Sequence, residues 1–63
     1  MSGVGMRGYR AYIIGRNGHI MDRVDMHCEN DEAAKERAKQ LVEQHAVELW
    51  DGARRVAILE PPH

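Results

Sequence analysis

Asp51 and Gly52 stand between two runs of strand-forming residues, and an Asp-Gly pair in that setting is among the strongest hairpin signals a short stretch can carry. Residues 45–59 therefore read as a β-hairpin around which the rest of the chain must be arranged. With Asp51 and Gly52 as a two-residue turn, Trp50 faces Ala53, Leu49 faces Arg54, Glu48 faces Arg55, Val47 faces Val56, Ala46 faces Ala57 and His45 faces Ile58. That register gathers Val47, Leu49, Val56 and Ile58 on one face and sets Glu48 against Arg55 on the other as an opposite-charge pair. A three-residue loop would put Val47 opposite Arg55, which disfavours it.

Sixty-three residues make one small domain, a size that buries only about 60% of the unfolded surface and needs a supplement to its core. Cys28 is the single cysteine, so an internal disulfide is excluded and a thiolate metal site is disfavoured. His19, His27, His45 and His63 have no ligand-like spacing, and no metal or cofactor is expected. Self-association is the supplement that remains. Nine Lys and Arg against ten Asp and Glu leave a net charge of −1, so no overall field draws nucleic acid or an anionic membrane. No run approaches the ~20 apolar residues of a membrane span, and residues 1–6 do not make a signal peptide; a reducing cytoplasm is the expected compartment.

Residues 1–8 carry three glycines and no periodicity and read as a flexible leader; residues 9–60 form the domain, and residues 61–63 a tail. The run from Tyr9 to Ile14 is rich in β-formers and is followed by Asn17-Gly18, a second turn signal. Pairing across it sets Ile14 against Met21, Ile13 against Asp22, Tyr12 against Arg23, Ala11 against Val24, Arg10 against Asp25 and Tyr9 against Met26. Tyr9, Ala11, Ile13, Ile20, Val24, Met26 and Cys28 then share the core face, interrupted by Asp22. Asn30 is a favoured N-cap, and Asp31 and Glu32 suit the positive end of a helix that runs to Gln44 or His45. Ala34, Ala38, Leu41, Val42 and His45 form its apolar stripe, with small alanines that let the axis lie close to a sheet. Pro61 and Pro62 stop the last strand.

The order strand, strand, helix, strand, strand predicts an α+β domain of ββαββ type. Its four-stranded antiparallel sheet takes the order β2-β1-β3-β4, with the helix on one face. Asp22, Arg23 and Asp25 would then be edge-strand charges that discourage pairing. One helix leaves the other face bare, and that face should carry Tyr12, Ile14, Met21, Trp50, Arg55, Ala57 and Leu59. Trp, Tyr and Arg among aliphatic residues have the composition of a protein interface, so the expected partner is a second copy, joined through this face or the β4 edge. A monomer with Trp50 tucked under the leader is the plainer alternative. Nucleic-acid binding on the same face is a runner-up, but the basic footprint is missing, and Arg54 and Arg55 point to opposite faces.

Catalysis finds little support, and no catalytic residue is assigned. His27 and Cys28 are neighbours on a strand and face opposite ways, so Cys28 reads as a small buried hydrophobe. Asp22 with His45 could make a buried acid and imidazole pair, and any enzyme site would have to lie between subunits. The residues name no small-molecule ligand.

The stretch from His45 to Ala57, preceded by residues 9–12 and 18–20, resembles a group of short proteins from rhizobia and related α-proteobacteria that has no assigned activity. The likeness covers residues 9–59. It departs from the group at residues 15–18, where an acidic Asp-Gly-type turn is usual, and at Gln44, where a glycine often stands. The resemblance implies a small cytoplasmic bacterial protein and transfers no functional residue.

Overall fold

Four strands and one helix succeed one another as β1 (Arg7–Ile14), β2 (Ile20–Cys28), α1 (Asp31–Lys39), β3 (Ala46–Asp51) and β4 (Arg54–Leu59), in a computed structural model that describes residues 5–61. The strands form one antiparallel sheet in the order β2-β1-β3-β4, the expected ββαββ arrangement. β1 begins at Arg7, so the sheet takes up the last two residues of the expected leader; residues 1–4 of that leader and residues 62–63 of the tail lie outside the described residues.

The first hairpin pairs as the sequence predicts from Tyr9 opposite Met26 to Ile13 opposite Asp22, and differs at its tip. Gly15 N–H donates to the His19 carbonyl at 2.7 Å and Gly18 N–H to the Gly15 carbonyl at 3.0 Å, with Gly18 at φ +83°. The loop is thus three residues, Arg16, Asn17 and Gly18, with a glycine in the left-handed position that such loops require. The extra loop residue is compensated by a bulge in which Ile14 pairs with Ile20. Ile20 therefore leaves the predicted core face and is 58% exposed.

The second hairpin departs from its predicted register. Asp51 pairs with Arg54, so the loop is Gly52 and Ala53, one residue later than expected. Gly52 has φ +63° and no non-glycine residue among those described has a positive φ, so only the first loop position is left-handed. That is the requirement of a type II′ turn, which wants glycine first; the type I′ turn of an Asp-Gly loop would force Asp51 to a positive φ as well. A bulge at Val56 on β4, between the Trp50 and Leu49 pairs, then re-phases the strand, with Trp50 opposite Arg55 but Leu49 opposite Ala57 and Val47 opposite Leu59. Ala57 and Leu59, expected on the bare face, belong to the helix side. Ile58, expected in the core, lies opposite Glu48 and is 46% exposed.

Asn30 caps α1 as expected, its Oδ1 accepting from Ala33 N–H at 2.8 Å. The helix ends at Lys39 rather than at Gln44 or His45. Gln40, Leu41 and Val42 N–H groups donate to carbonyls three residues back, which tightens the chain and drops Leu41 and Val42 onto the rim of the core. His45 belongs to the connection before β3, half-buried.

Tyr9, Ala11, Met26, Cys28, Ala34, Ala38, Val47 and Leu49 make the core, with Ile13, Val24, Ala33, Leu41, Val42, Val56 and Leu59 packed around it. Ala34 and Ala38 are fully buried, which is the close approach their size allows. The largest side chains fully buried are Leu49 and Val47.

Candidate functional site

Alternation along β1 turns Arg10, Tyr12 and Ile14 away from the helix, and strand pairing extends each into a cross-strand row. Asp25, Arg10, Trp50 and Arg55 form one row; Arg23, Tyr12, Glu48 and Ile58 the next; Ile20, Ile14 and Ala46 the third. Within them Arg10 Nε donates to Asp25 Oδ1 at 3.1 Å, and Trp50 Nε1 donates to Glu48 Oε1 at 3.1 Å. Tyr12 beside it, and then Asp25, raise the pKa of Arg10 and keep it charged. The indole is half-buried and tied along its own strand, so Trp50 presents a fixed ring. Glu48 is spent on that bond and stands opposite Ile58, so the expected Glu48–Arg55 pair does not form.

Of the residues predicted for this face, Tyr12, Ile14 and Trp50 are half-buried on it and Arg55 is exposed on it. Met21 sits at the bulged tip, 59% exposed. Ala57 and Leu59 are corrections, turned to the helix side by the extra residue Val56, since Arg55 before it keeps its predicted face. Ile58 and Ile20 take their place, and sequence reasoning missed both because one extra residue in a strand exchanges the faces across it, here Val56 on β4 and Met21 on β2.

A second cluster, also missed, lies at the opposite edge of the core. The Tyr9 hydroxyl donates to Asp31 Oδ1 at 2.7 Å. Arg54 donates from both terminal nitrogens to the same carboxylate, at 3.2 and 3.1 Å, and from Nη2 to Asp51 Oδ2 at 3.0 Å. Arg7 lies 3.7 Å from Asp51. This clasp fastens the first residue of α1 to β1 and to the β3–β4 turn, with the carboxylate where the helix dipole favours it. Arg54 and then Tyr9 hold the Asp31 carboxyl below its ordinary 3.8, while burial first and the bond to Asp31 second raise Tyr9. Its signal was the pairing of Asp51 with Arg54, which the later loop alone creates.

The direction of the Asp31 shift makes stability depend on pH. A carboxyl whose folded pKa is depressed adds stability above its unfolded pKa and loses it as pH falls through the folded value. The melting temperature of Asp31→Asn should therefore lie below wild type at pH 6, and the gap should close as pH drops past 3.8 and through the lower folded value. Melts monitored by far-UV circular dichroism from pH 6 to 2 check this; a gap that persists unchanged at pH 2 would remove Asp31 ionisation from the clasp.

The remaining candidates do not assemble. Cys28 is a buried free thiol while His27 is exposed on the other side of the strand. Asp22 is exposed and its Oδ1 accepts from Arg23 N–H at 2.8 Å; among the described residues no bond joins it to His45. Among the described residues no helix is long and apolar enough to cross a membrane. What remains is the bare sheet face, where half-buried Tyr12, Ile14 and Trp50 lie among exposed Ile20 and Ile58. Neither a family model, nor a curated protein, nor a solved structure matches this chain, and the face must be interpreted from its own chemistry.

Proposed function

We propose that the protein is a small cytoplasmic binding or regulatory module that acts as a homodimer, two copies packing through the helix-free faces of their sheets. The observation that carries this reading is the contrast between the two faces. On the helix side, few side chains larger than alanine are fully buried, Leu49 and Val47 leading them. On the other, Trp50, Tyr12 and Ile14 are half-buried and Ile58 and Ile20 exposed, with none of the described elements over them. A second sheet would supply the missing layer, as sheets stacked face to face do.

The charges on the face suit a copy of itself. Arg10, Arg23 and Arg55 are interspersed with Asp25 and Glu48, so a two-fold axis can set opposite signs together, which a face of one sign could not do. A reducing compartment suits the lone thiol of Cys28. Sedimentation equilibrium tests the reading. Wild type should run at twice the 7.2 kDa chain mass or above, and Trp50→Ala should weaken the face contact by about 2 kcal/mol, roughly thirtyfold in Kd. A wild type that stays monomeric at high micromolar concentration would overturn it.

A further inference from the structure

The two edges of the sheet are built differently. β2 carries Asp22, Arg23 and Asp25, with Asp22 on the helix side and a bulge at its start, so a strand added there would have to strip water from charges on both faces. β4 has its bulge at Val56 and from there presents Val56, Ala57, Ile58 and Leu59 without a charge, with Arg54 and Arg55 before them and Glu60 after. Along this edge runs a groove of about 360 Å³ lined by Lys39, Val42, Ile58, Leu59 and Glu60.

We propose that β4 is a pairing strand whose occupant is β4 of a second copy, added antiparallel to give one continuous eight-stranded sheet. The axis of such a pair stands perpendicular to the sheet and passes through a residue that faces itself. Placed at Ile58, it sets Ile58 against Ile58 of the second copy on the bare face, which covers an exposed large hydrophobic. It also sets Ala57 against Leu59 of the second copy on the helix side, matching the faces on which both already lie. At each end Glu60 of one copy comes beside Val56 and Arg55 of the other. The strand's basic start and acidic end make the antiparallel pair complementary, whereas a parallel pair would align arginine with arginine. The bulge at Val56 and Pro61 confine the ladder to residues 56–60.

This contact uses the edge and the face-to-face contact uses the sheet surface, so both can form at once and close into a tetramer of two stacked sheets. Sedimentation equilibrium of wild type, Glu60→Arg and Trp50→Ala separates them. Glu60 is exposed and beyond the last strand, so its variant keeps the fold. Glu60→Arg should weaken the edge contact at least tenfold and halve the assembly mass. With isotope-filtered spectra of a mixed-label sample, the Ala57 methyl should contact Leu59 methyls of the other copy. Retention of the wild-type mass by Glu60→Arg, or absence of that cross-copy contact in an assembled sample, overturns the edge proposal. If Glu60→Arg abolishes assembly and Trp50→Ala does not alter it, the edge stands and the face reading falls; a Trp50→Ala protein that is wholly monomeric overturns the edge instead.

Discussion

Leu49→Ala is expected to leave most of the protein unfolded at 37 °C. Leu49 is 0% exposed at the middle of β3, and its neighbours across the sheet are Ala11 on β1 and Ala57 on β4. The helix above contributes Ala34 and Ala38. A truncated leucine is cheapest where adjoining side chains can swing into the gap, and alanines have nothing to swing. The cost should therefore lie toward the upper part of the range for such substitutions, about 4 kcal/mol. A chain of this length has a total stability on the order of 3–9 kcal/mol. The melting temperature should fall by more than 15 °C, at about 4–8 °C per kcal/mol for so small a domain. Melts of both proteins at one fixed concentration check it, since association shifts the apparent midpoint. A fall of less than 5 °C would mean that Leu49 is not the centre of the core.

The same ring of alanines shows which parts of the fold the sequence made legible. The strand order needed only the presence of two hairpins joined by a helix, and periodicity gave that. The body of the first hairpin was also readable, because Arg10 with Asp25 and Tyr9 with Met26 make sense in only one register. What failed were the two loops. Asn17-Gly18 and Asp51-Gly52 each admit neighbouring loop choices that differ by one residue, and the energetic difference lies in which residue takes a positive φ. Each loop in fact keeps that strain on its glycine and absorbs the mismatch in a bulge. Ile20, Ile58, Ala57 and Leu59 changed faces for this reason alone. Tyr12, Ile14 and Trp50 did not, because they lie on the central strands β1 and β3, while the extra residues, Met21 and Val56, lie on β2 and β4.

The helix end and the clasp were illegible for a related reason. No glycine comes after Lys39 to stop the helix, and Leu41 and Val42 satisfy the core as well from a tightened turn as from a continuing helix. Asp31 looked like an ordinary first-turn carboxylate. Arg54 lies on the helix side in the expected register too, but there it stands opposite Leu49; the Gly52 loop sets it opposite Asp51 instead, from where it reaches Asp31. Local sequence therefore specified the elements, while the contacts that orient them depended on a one-residue decision at a turn.

That orientation can be attacked from the other end of the helix, with Ala38→Leu. Ala38 is 0% exposed at the last full turn of α1, and the larger side chain there must displace either the helix or the sheet. The start of the helix is not free to move, since Asp31 is held by Tyr9 and Arg54. The helix must instead pivot about its first turn and lift Leu41 and Val42 off the rim of the core, so the overpacking cost of about 1–3 kcal/mol is compounded by lost burial at two residues. The expected result is a fall in melting temperature of at least 10 °C, at about 4–8 °C per kcal/mol. Arg37→Leu, which adds apolar bulk on the exposed side of the same turn, should leave the midpoint within a few degrees. Breaking the clasp gives the sharper check. In an Asp31→Asn background the helix can translate as well as pivot, so Ala38→Leu should cost less there than in wild type. A double-mutant cycle that instead shows the two losses simply adding would mean that the clasp and the alanine contact orient the helix independently.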